Sequence, residues 1–421
     1  MKLLIKQALV VDPNSPHHLK TADILIDNGK ILSIGKQDGS KPDKEINYPG
    51  LCVSPGWVDI FSNFADPGYE QKETLESGAM AAAYGGFTDV FVIPNTRPCA
   101  HNKSVVEYIV QKSRTLPISI HPIGAVSNNL EGKELAEMYD MRASGTIAFG
   151  DGLHAVQSSG LLLKALQYVR AFNGVIIQVP DDKSIQPLGL MNEGVVSTRM
   201  GLPGKPAMAE ELFIVRDLEL AHYTGASIHF TGISTARSVA LIREAKHAGI
   251  SVSCSVSPAH LLFTEEDLAG YNTLFKVNPP LRNKKDQKAL IEGIMDATID
   301  CIASHHLPHE VDNKVLEFEY AKTGMIGLET SFSMVKSAIP DLSVENLVAI
   351  FSTNARKIFS MVPASIVVGQ PACLSLFNPD LDWTYTAEKI KSKSRNSPMI
   401  DKNMKGKPMG IINKQQIITD L

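Results

Sequence analysis

Three histidines, His305, His306 and His309, stand close together in the stretch HHLPH. Two or three imidazoles around one carboxylate are a conceivable zinc shell, because imidazole nitrogen and carboxylate oxygen are both good zinc ligands. Asp151 and His154, which follow a short apolar segment, could complete such a shell. The same histidines could instead be ordinary loop residues, so the sequence leaves a metal site at HHLPH open.

A second stretch, DIFSNFADPG from Asp59 to Gly68, is built like the end of a catalytic strand. The apolar run GWVDIF predicts a buried strand that emerges into a loop, and the loops after barrel strands display catalytic groups. The residues displayed here are Phe61, Asn63 and Ala65. None of these three side chains binds a metal well or moves a proton.

No other arrangement supplies an obvious nucleophile. The chain has no GxSxG elbow, and its five cysteines stand singly, without a CxxC pair. Single cysteines of odd number predict neither a disulfide framework nor a zinc site. We therefore interpret them as small core residues of a reduced, cytoplasmic protein.

The composition is typical of a globular protein with a large core. The 421 residues are 44% hydrophobic and 20% charged, with a formal net charge of −4. This charge balance gives no electrostatic footprint for nucleic acid or an anionic membrane. No apolar run approaches the roughly 20 residues that a membrane helix needs. We expect neither nucleic acid nor a membrane among the partners.

The middle of the chain alternates short apolar runs with segments of helical period. Strands that are apolar on both faces and separated by helices predict a parallel (β/α)₈ barrel. The predicted strands are 56–64, 87–95, 117–124, 146–150, 175–180, 227–233, 250–256 and 299–304.

The residue patterns at both ends of the chain predict strands instead. Asn28-Gly29 lies between two alternating arms, which is the pattern of a hairpin turn, and the C-terminal residues again alternate apolar and polar side chains. The two ends predict one small β-sandwich module, with residues 1–52 and 363–421 in the module and residues 53–362 in the barrel.

Several motifs taken together resemble dihydroorotase of the cyclic amidohydrolase superfamily, in its longer, allantoinase-like branch. The motifs are PGWVDIFSNFADPG, GGFTDVFVIPNTRP, IREAKHAGISVSCSVSPAHLLFTEED, KVNPPLR, IASHHLPH, GMIGLET and SKSRNSP. They follow one another over nearly the whole chain. The family fold that this resemblance implies is a TIM-like barrel beside a β-sandwich, which agrees with the pattern of strands and helices.

The resemblance implies the interconversion of N-carbamoyl-aspartate and dihydroorotate in pyrimidine synthesis. That reaction needs one or two divalent metals, usually zinc, to generate hydroxide and polarise the ring amide. It also needs an aspartate that shuttles the proton and an arginine that clamps the substrate carboxylate.

The positions that the resemblance assigns to this chemistry hold other residues in this chain. The family pattern after the first barrel strand is D-x-H-x-H-x-R-x-P-G, and Ala65 stands at the place of its arginine. The metal-associated positions hold Phe61, Asn63, Gln178, Gly232 and His305, and His305 is also the proton-shuttle position. Asp151 is the surviving possible ligand, and Asn95, Asn278 and His309 are interpreted as remnants of the substrate pocket.

These replacements lead to the hypothesis of a catalytically inactive homologue that needs no metal or cofactor. The resemblance implies a role for such a protein, because inactive dihydroorotase-like subunits assemble with aspartate carbamoyltransferase. We expect that partner and a homo-oligomer. Three alternatives stay open: an active cyclic amidohydrolase with a rebuilt zinc site, a metal-independent enzyme that uses His305 and Asp151, and a small-molecule binding protein that uses the old pocket.

Overall fold

The computed structural model describes residues 1–35 and 41–420. Its strands, in chain order, are β1 Lys2–Val10, β2 Thr21–Asp27, β3 Lys30–Ile34, β4 Lys44–Asn47, β5 Cys52–Pro55, β6 Trp57–Ser62, β7 Phe87–Val92, β8 Ser119–Gly124, β9 Ala148–Phe149, β10 Val175–Gln178, β11 Met191–Asn192, β12 Gly204–Lys205, β13 Ser227–Thr231, β14 Val252–Val256, β15 Cys301–Ile302, β16 Leu374–Thr384, β17 Asn403–Asn413 and β18 Gln416–Thr419.

Eight parallel strands of the described residues form the predicted barrel, in the order β15-β14-β13-β10-β9-β8-β7-β6. Each lies inside one of the segments that the sequence assigns to a strand, so the prediction of a (β/α)₈ barrel is confirmed. Neighbouring strands run in register, so that His229 of β13 pairs with Ser253 of β14 and Thr231 pairs with Ser255. This register brings polar side chains of adjacent strands to the same level of the barrel.

Helices cover the outside of the barrel, in chain order α1 Leu75–Tyr84, α2 Lys103–Lys112, α3 Met138–Ala143, α4 Ser159–Arg170, α5 Val195–Met200, α6 Met208–Thr224, α7 Ala236–His247, α8 Pro258–Leu262, α9 Lys284–Met295, α10 Ser331–Ala338, α11 Val344–Val348 and α12 Asn354–Ile358. Several begin at side-chain caps, such as Thr235, whose hydroxyl accepts a bond from the N–H of Ser238. Across the described ranges, no helix is both long and apolar enough to cross a membrane.

The strands from the two chain ends form a second sheet. Its order is β18-β17-β16-β5-β1-β2-β3, with β4 paired beside β1. The Asn28-Gly29 turn joins β2 to β3 with positive φ angles of 47° and 75°, as the sequence predicts for this hairpin. The sheet encloses its own apolar core, which includes Ile5, Ile24 and Leu374.

An aromatic cluster joins the barrel to this terminal sheet. Trp57, at the start of β6, packs against Phe332 of α10 at 4.9 Å and against Phe377 of β16 at 5.3 Å between ring centroids. The indole N–H also donates to the hydroxyl of Ser54 at 3.0 Å. Because the first barrel strand is anchored from its first residue, its far end is held in a defined position.

Contacts between β6 and the residues after β15 close the barrel. The buried carboxylate of Asp59 accepts hydrogen bonds from the backbone N–H of Ser304 at 2.6 Å, the hydroxyl of Ser304 at 2.9 Å and the hydroxyl of Ser62 at 2.5 Å. A parallel bridge between Ser62 and His306 lies beside them. We call these contacts the closing seam, because they join the first and last barrel strands.

Candidate functional site

Phe61 lies at the end of β6 and fills space inside the barrel. It is 1% exposed and belongs to an apolar cluster with Val58, Phe91 and Ile177. Its ring lies against the imidazole of His305, with 4.7 Å between centroids and 31° between planes. Two positions to which the resemblance assigns metal chemistry are therefore in direct contact, as a packed aromatic pair.

Asn63 and Ala65 are the next two positions of the family pattern after β6, the first barrel strand. The side-chain oxygen of Asn63 accepts a hydrogen bond from the N–H of Ala65 at 2.8 Å, and the N–H of Asn63 donates to the carbonyl of His306. Ala65 is buried and has a φ of 58°. Its methyl group cannot bind a carboxylate, which is the task of the family arginine.

The backbone of Gly232 lies so close to the ring of His305 that a side chain at position 232 would not fit. Gly232 follows β13 with a φ of +70°, and a Cβ atom at this position would lie 2.6 Å from Cε1 of His305. The Nε2 atom of His305 shares a 2.9 Å hydrogen bond with the hydroxyl of Thr231. A side chain at position 232 is therefore excluded while His305 holds its place.

The loop that carries Gly232 is fixed by a buried ion pair. Glu210 of α6 accepts hydrogen bonds from the backbone N–H of Ser234 at 2.8 Å and of Thr235 at 3.2 Å. Arg282 lies 3.6 Å from the same carboxylate, and both side chains are 2% exposed. The close approach of Gly232 to His305 is thus imposed by surroundings that cannot relax easily.

Gln178, at the end of the fifth barrel strand, β10, connects three parts of the chain. Its carbonyl oxygen accepts from the N–H of Val156 at 3.2 Å, and its amide donates to Asp217 of α6 at 3.2 Å. Burial raises the pKa of Asp217 to about 7, although Arg216 opposes the shift. Both ends of the Gln178 amide are satisfied, so this side chain acts as a structural tie.

Both carboxylate oxygens of Asp151 accept hydrogen bonds from residues that follow β8. One oxygen accepts from the backbone N–H groups of Val126 and Ser127, both at 2.9 Å, and the other accepts from the hydroxyl of Ser127 at 2.5 Å. Asn95 holds the adjacent backbone, accepting from the N–H of Leu153 at 3.0 Å. A Cβ at Gly152 would overlap Asn95, so Asn95 is packed directly against this loop and holds its backbone.

The histidines of HHLPH face separate partners. Nε2 of His306 lies 3.3 Å from Glu73, whereas Nε2 of His309 lies 3.0 Å from the carbonyl of Thr323. His154, the other possible ligand, pairs with Lys183 at 3.2 Å. Within residues 1–35 and 41–420, no group of three or more His, Cys, Asp or Glu side chains could hold a metal ion. The side chains at these positions do not fit a zinc centre.

A chain of hydrogen bonds runs from His305 into the barrel. The hydroxyl of Thr231 accepts from Ser255 at 2.9 Å, and Ser255 lies 3.0 Å from Nε2 of His229. Nδ1 of His229 in turn lies 2.8 Å from the hydroxyl of Ser253. Burial lowers the pKa of both His229 and His305 to about 3, so both rings are neutral near pH 7 and hydroxyl groups satisfy them.

A cavity of about 250 Å³ lies beyond the end of β10. Its lining includes Asp181, Lys183, Lys205, Lys276 and Asn278. Nζ of Lys205 donates to Asp181 at 2.6 Å and to the side-chain oxygen of Asn278 at 2.9 Å. The other oxygen of Asp181 is buried and has no hydrogen-bond partner within the described residues. This cavity can accept a small polar molecule.

Sequence reasoning placed Asn278 near the pocket but missed the charged residues around it. Lys205 lies in the short strand β12, far along the chain from Asn278, and no local motif marks it. His229 was missed as well, although its alternation with Thr231 in β13 was a usable signal, because residues two apart in a strand share one face.

The contact between Gly232 and His305 makes a prediction about stability. Replacement of Gly232 by Ala should cost about 2–5 kcal/mol of unfolding free energy, since overpacking costs roughly 1–3 kcal/mol and a left-handed backbone with a Cβ roughly 1–2 kcal/mol. In a His305→Ala background only the backbone part should remain. Gly201→Ala is the control, because Gly201 has a φ of +67° and no atom within 4 Å of the added Cβ. Equal costs at both glycines in urea unfolding would refute the packing explanation.

The buried imidazoles make a prediction about pH. The pKa of His229 is about 3 in the folded protein but about 6.5 in an unfolded chain, so the unfolded state binds more protons between these values. The unfolding free energy should therefore fall as the pH drops from about 6.5, by up to about 1.4 kcal/mol per pH unit for each such group.

Urea unfolding at pH 7.5 and 5.0 measures this difference. A His229→Leu variant should be less stable at pH 7.5 but lose less stability on acidification. The exposed His247, changed to Leu, should leave the pH dependence as it is. An unchanged dependence in His229→Leu would contradict the assignment.

Comparison with known proteins agrees with this architecture. Residues 50–238 match the family model described as dihydro-orotase-like. The curated protein "Dihydroorotase" of Syntrophus aciditrophicus (strain SB) is 37% identical over 423 residues, covering 99% of each chain. "Dihydroorotase" of Ruminiclostridium cellulolyticum is 40% identical over 412 residues, covering 97% of this chain and 96% of the relative.

Solved structures share the fold at lower identity. L-hydantoinase (dihydropyrimidinase) from Arthrobacter aurescens superposes with a TM-score of 0.86 at 24% identity, over 99% of this chain and 96% of its own. Dihydropyrimidinase from Brevibacillus agri gives a TM-score of 0.83 at 20% identity, over 100% and 95%. By its full-length sequence similarity and its barrel, this chain belongs to the dihydroorotase family of the amidohydrolase superfamily.

Proposed function

We propose that this chain is a non-catalytic member of the dihydroorotase family that acts as a structural partner of aspartate carbamoyltransferase in pyrimidine synthesis. The observation that carries the proposal is the contact between Phe61 and His305, at 4.7 Å between ring centroids. An apolar ring offers no lone pair to a metal, and here it lies against the side chain at the proton-shuttle position.

The other family positions support the same reading. Asn63 and Gln178 use their polar atoms for bonds to neighbouring backbone and side chains, and Asp151 accepts three hydrogen bonds from Val126 and Ser127. Loss of supporting residues alone lowers metal affinity by roughly 10–100-fold, and here the ligand positions themselves are replaced. We therefore expect no cofactor, and zinc belongs to the alternative of an active enzyme with a rebuilt site.

A structural role suits a barrel that is closed and densely packed around the old centre. Phe61 and His305 pack against one another there, and the hydroxyl of Thr231 shares a hydrogen bond with His305. The partner, the homo-oligomeric state and the cytoplasmic location are parts of the proposal that rest on the family resemblance.

Metal content and activity test the non-catalytic part. The purified protein should contain less than about a tenth of a zinc ion per chain, because the ligand positions lack the imidazole and carboxylate groups that zinc sites use. It should also give no cyclisation of N-carbamoyl-aspartate above background. A dihydroorotase that has the intact H-x-H pair, purified in the same way, is the control. Stoichiometric zinc together with turnover would overturn this part.

Assembly tests the partner. The chain and the aspartate carbamoyltransferase of the same source should co-elute in size-exclusion chromatography at micromolar concentration, with a mass by light scattering that exceeds either protein alone. If the two proteins still elute separately at about 10 times that concentration, the result counts against the scaffold role, whatever the zinc assay shows.

Small-molecule binding is a second candidate, favoured by the cavity at Asp181. Lys183, Lys205 and Lys276 line this cavity together with Asn278 and the one carboxylate, Asp181, and the ammonium group of Lys205 lies between Asp181 and Asn278. A ligand would be a small anion that also donates a hydrogen bond to the unpartnered oxygen of Asp181.

A thermal-shift experiment with dihydroorotate and N-carbamoyl-aspartate tests this candidate. A ligand at 100 times its Kd stabilises the folded state by about 2.7 kcal/mol, which raises the Tm measurably. The shift should disappear in Lys205→Met and persist in Lys164→Met, since Lys164 is exposed on α4. No shift in the wild-type protein would remove these two ligands from consideration.

A further inference from the structure

A line of polar side chains runs through the barrel along the neighbouring strands β13 and β14. Residues two apart in a strand share one face, and the register of these two strands sets the polar residues of one beside those of the other. All of them are serine, threonine or histidine, whose hydroxyl and imidazole groups can both donate and accept hydrogen bonds. We call this set the polar column; its members are Ser227, His229, Thr231, Ser251, Ser253 and Ser255.

One end of the polar column lies at a cavity of about 420 Å³, which we call the amino-end cavity. Its lining includes Val175 and Ser227, the first residues of β10 and β13, together with Ser253 of β14. Ser253 is 9% exposed, so its hydroxyl lies at the boundary between the cavity and the buried part of the column. The amino-terminal ends of barrel strands lie opposite the end at which a barrel displays its catalytic groups, so this cavity is separate from the candidate site.

The other end of the polar column is His305. This residue lines a small cavity of about 10 Å³, the His305 cavity, together with Ser257, His260 and Asn278. Such a volume holds about one water molecule. Nε2 of His260 lies 3.0 Å from the carbonyl of Pro279, which can only accept a hydrogen bond. Because burial lowers the pKa of His260 to about 4, the ring is neutral near pH 7, and its Nδ1 is a buried acceptor with no partner among the described residues.

The hydrogen bonds of the polar column point in one direction. The hydroxyl of Ser255 donates its single proton to Thr231 at 2.9 Å. Ser255 can therefore only accept from Nε2 of His229, which lies 3.0 Å away. Since burial keeps the ring of His229 neutral near pH 7, its one proton is on Nε2, and its Nδ1 accepts from the hydroxyl of Ser253 at 2.8 Å.

The same direction places the proton of His305. The hydroxyl of Thr231 is fully buried and already accepts from Ser255. Within the described residues its own proton has one acceptor, Nε2 of His305 at 2.9 Å, and a buried donor without an acceptor is costly. Nε2 of His305 therefore accepts, and the single proton of this neutral ring is on Nδ1.

We propose that the polar column carries protons between the amino-end cavity and the His305 cavity. A proton from water in the amino-end cavity binds the oxygen of Ser253, while the hydroxyl proton of Ser253 moves to Nδ1 of His229. The Nε2 proton of His229 moves to Ser255, the proton of Ser255 to Thr231, and the proton of Thr231 to Nε2 of His305.

The Nδ1 proton of His305 then leaves to a water molecule in the His305 cavity. One proton has entered and one has left, and each oxygen or nitrogen of the column has broken one bond to hydrogen and formed another. A proton that travels in the opposite direction restores the first arrangement. The path does not depend on the proposed structural role of the chain.

Exchange of the Nε2 proton of His229 with solvent tests this path. His229 is 0% exposed, so without the path its proton can exchange only when the barrel opens. In the full-length protein labelled with ¹⁵N-histidine, NMR should show this proton exchanging at least tenfold faster than the backbone amides of β13. Equal rates would mean that both exchange by opening of the barrel, and would overturn the proposal.

A pair of substitutions interrupts the path on both sides of His229. The double variant Ser253→Ala and Thr231→Val should slow exchange of the His229 proton at least tenfold, because it removes both hydroxyl groups that connect the ring to the two cavities. The conservative pair Ser253→Thr and Thr231→Ser keeps the hydroxyl groups and should retain the wild-type rate. Ser227→Ala is the matched control, because the hydroxyl of Ser227 bonds to Ser251, outside the path.

An unchanged rate in the double variant would overturn the proposal. If that variant does not fold, as judged by its Tm, the comparison with the β13 amides in the wild type decides instead. The ¹⁵N chemical shifts give an independent check, because they distinguish the two neutral forms of each ring. We expect the proton on Nε2 of His229 and on Nδ1 of His305, and the opposite placement in either ring would overturn the proposed direction and path.

Discussion

The closing seam at Asp59 is the contact on which the arrangement of the site depends. Burial raises the pKa of Asp59, and hydrogen bonds from Ser62 and Ser304 oppose that shift. By joining the first barrel strand to the last, these bonds determine where Phe61 and His305 meet. A barrel has no free edge only when this junction is made, so the same few bonds complete the sheet and set the geometry of its centre.

The centre itself is a self-consistent set of side chains. His305 needs a hydroxyl partner, which Thr231 supplies, and it needs empty space at position 232, which glycine leaves. The chain of hydroxyl groups beyond Thr231 then satisfies His229. Because buried polar groups are costly unless they are hydrogen-bonded, these positions depend on one another, and a change at one of them would require compensating changes at the others.

Buried lysines and exposed carboxylates lie close together in the segment after the last barrel strand. Lysines line the cavity at Asp181, and the buried Lys276 and Lys314 donate to backbone carbonyls of residues 318–322. Asp312, Glu317 and Glu319 of the same segment are exposed. Burial lowers the pKa of Lys314 to about 7, which reflects the cost of holding a cation there. The lysines thus hold the backbone of this segment, while its acidic side chains remain at the surface.

The sequence by itself determined the eight barrel strands, the Asn28-Gly29 hairpin and the residue types Phe61, Gln178 and Gly232 at the positions to which the resemblance assigns metal chemistry. Strand and turn patterns are local, and residue types can be compared position by position. The tertiary structure alone decided that His305 fills the space beside Gly232, that Gln178 donates a hydrogen bond to Asp217, and that Asp151 accepts one from Ser127. These contacts join residues 24 to 73 positions apart, and such pairings arise only when the barrel closes and brings different strands to one level.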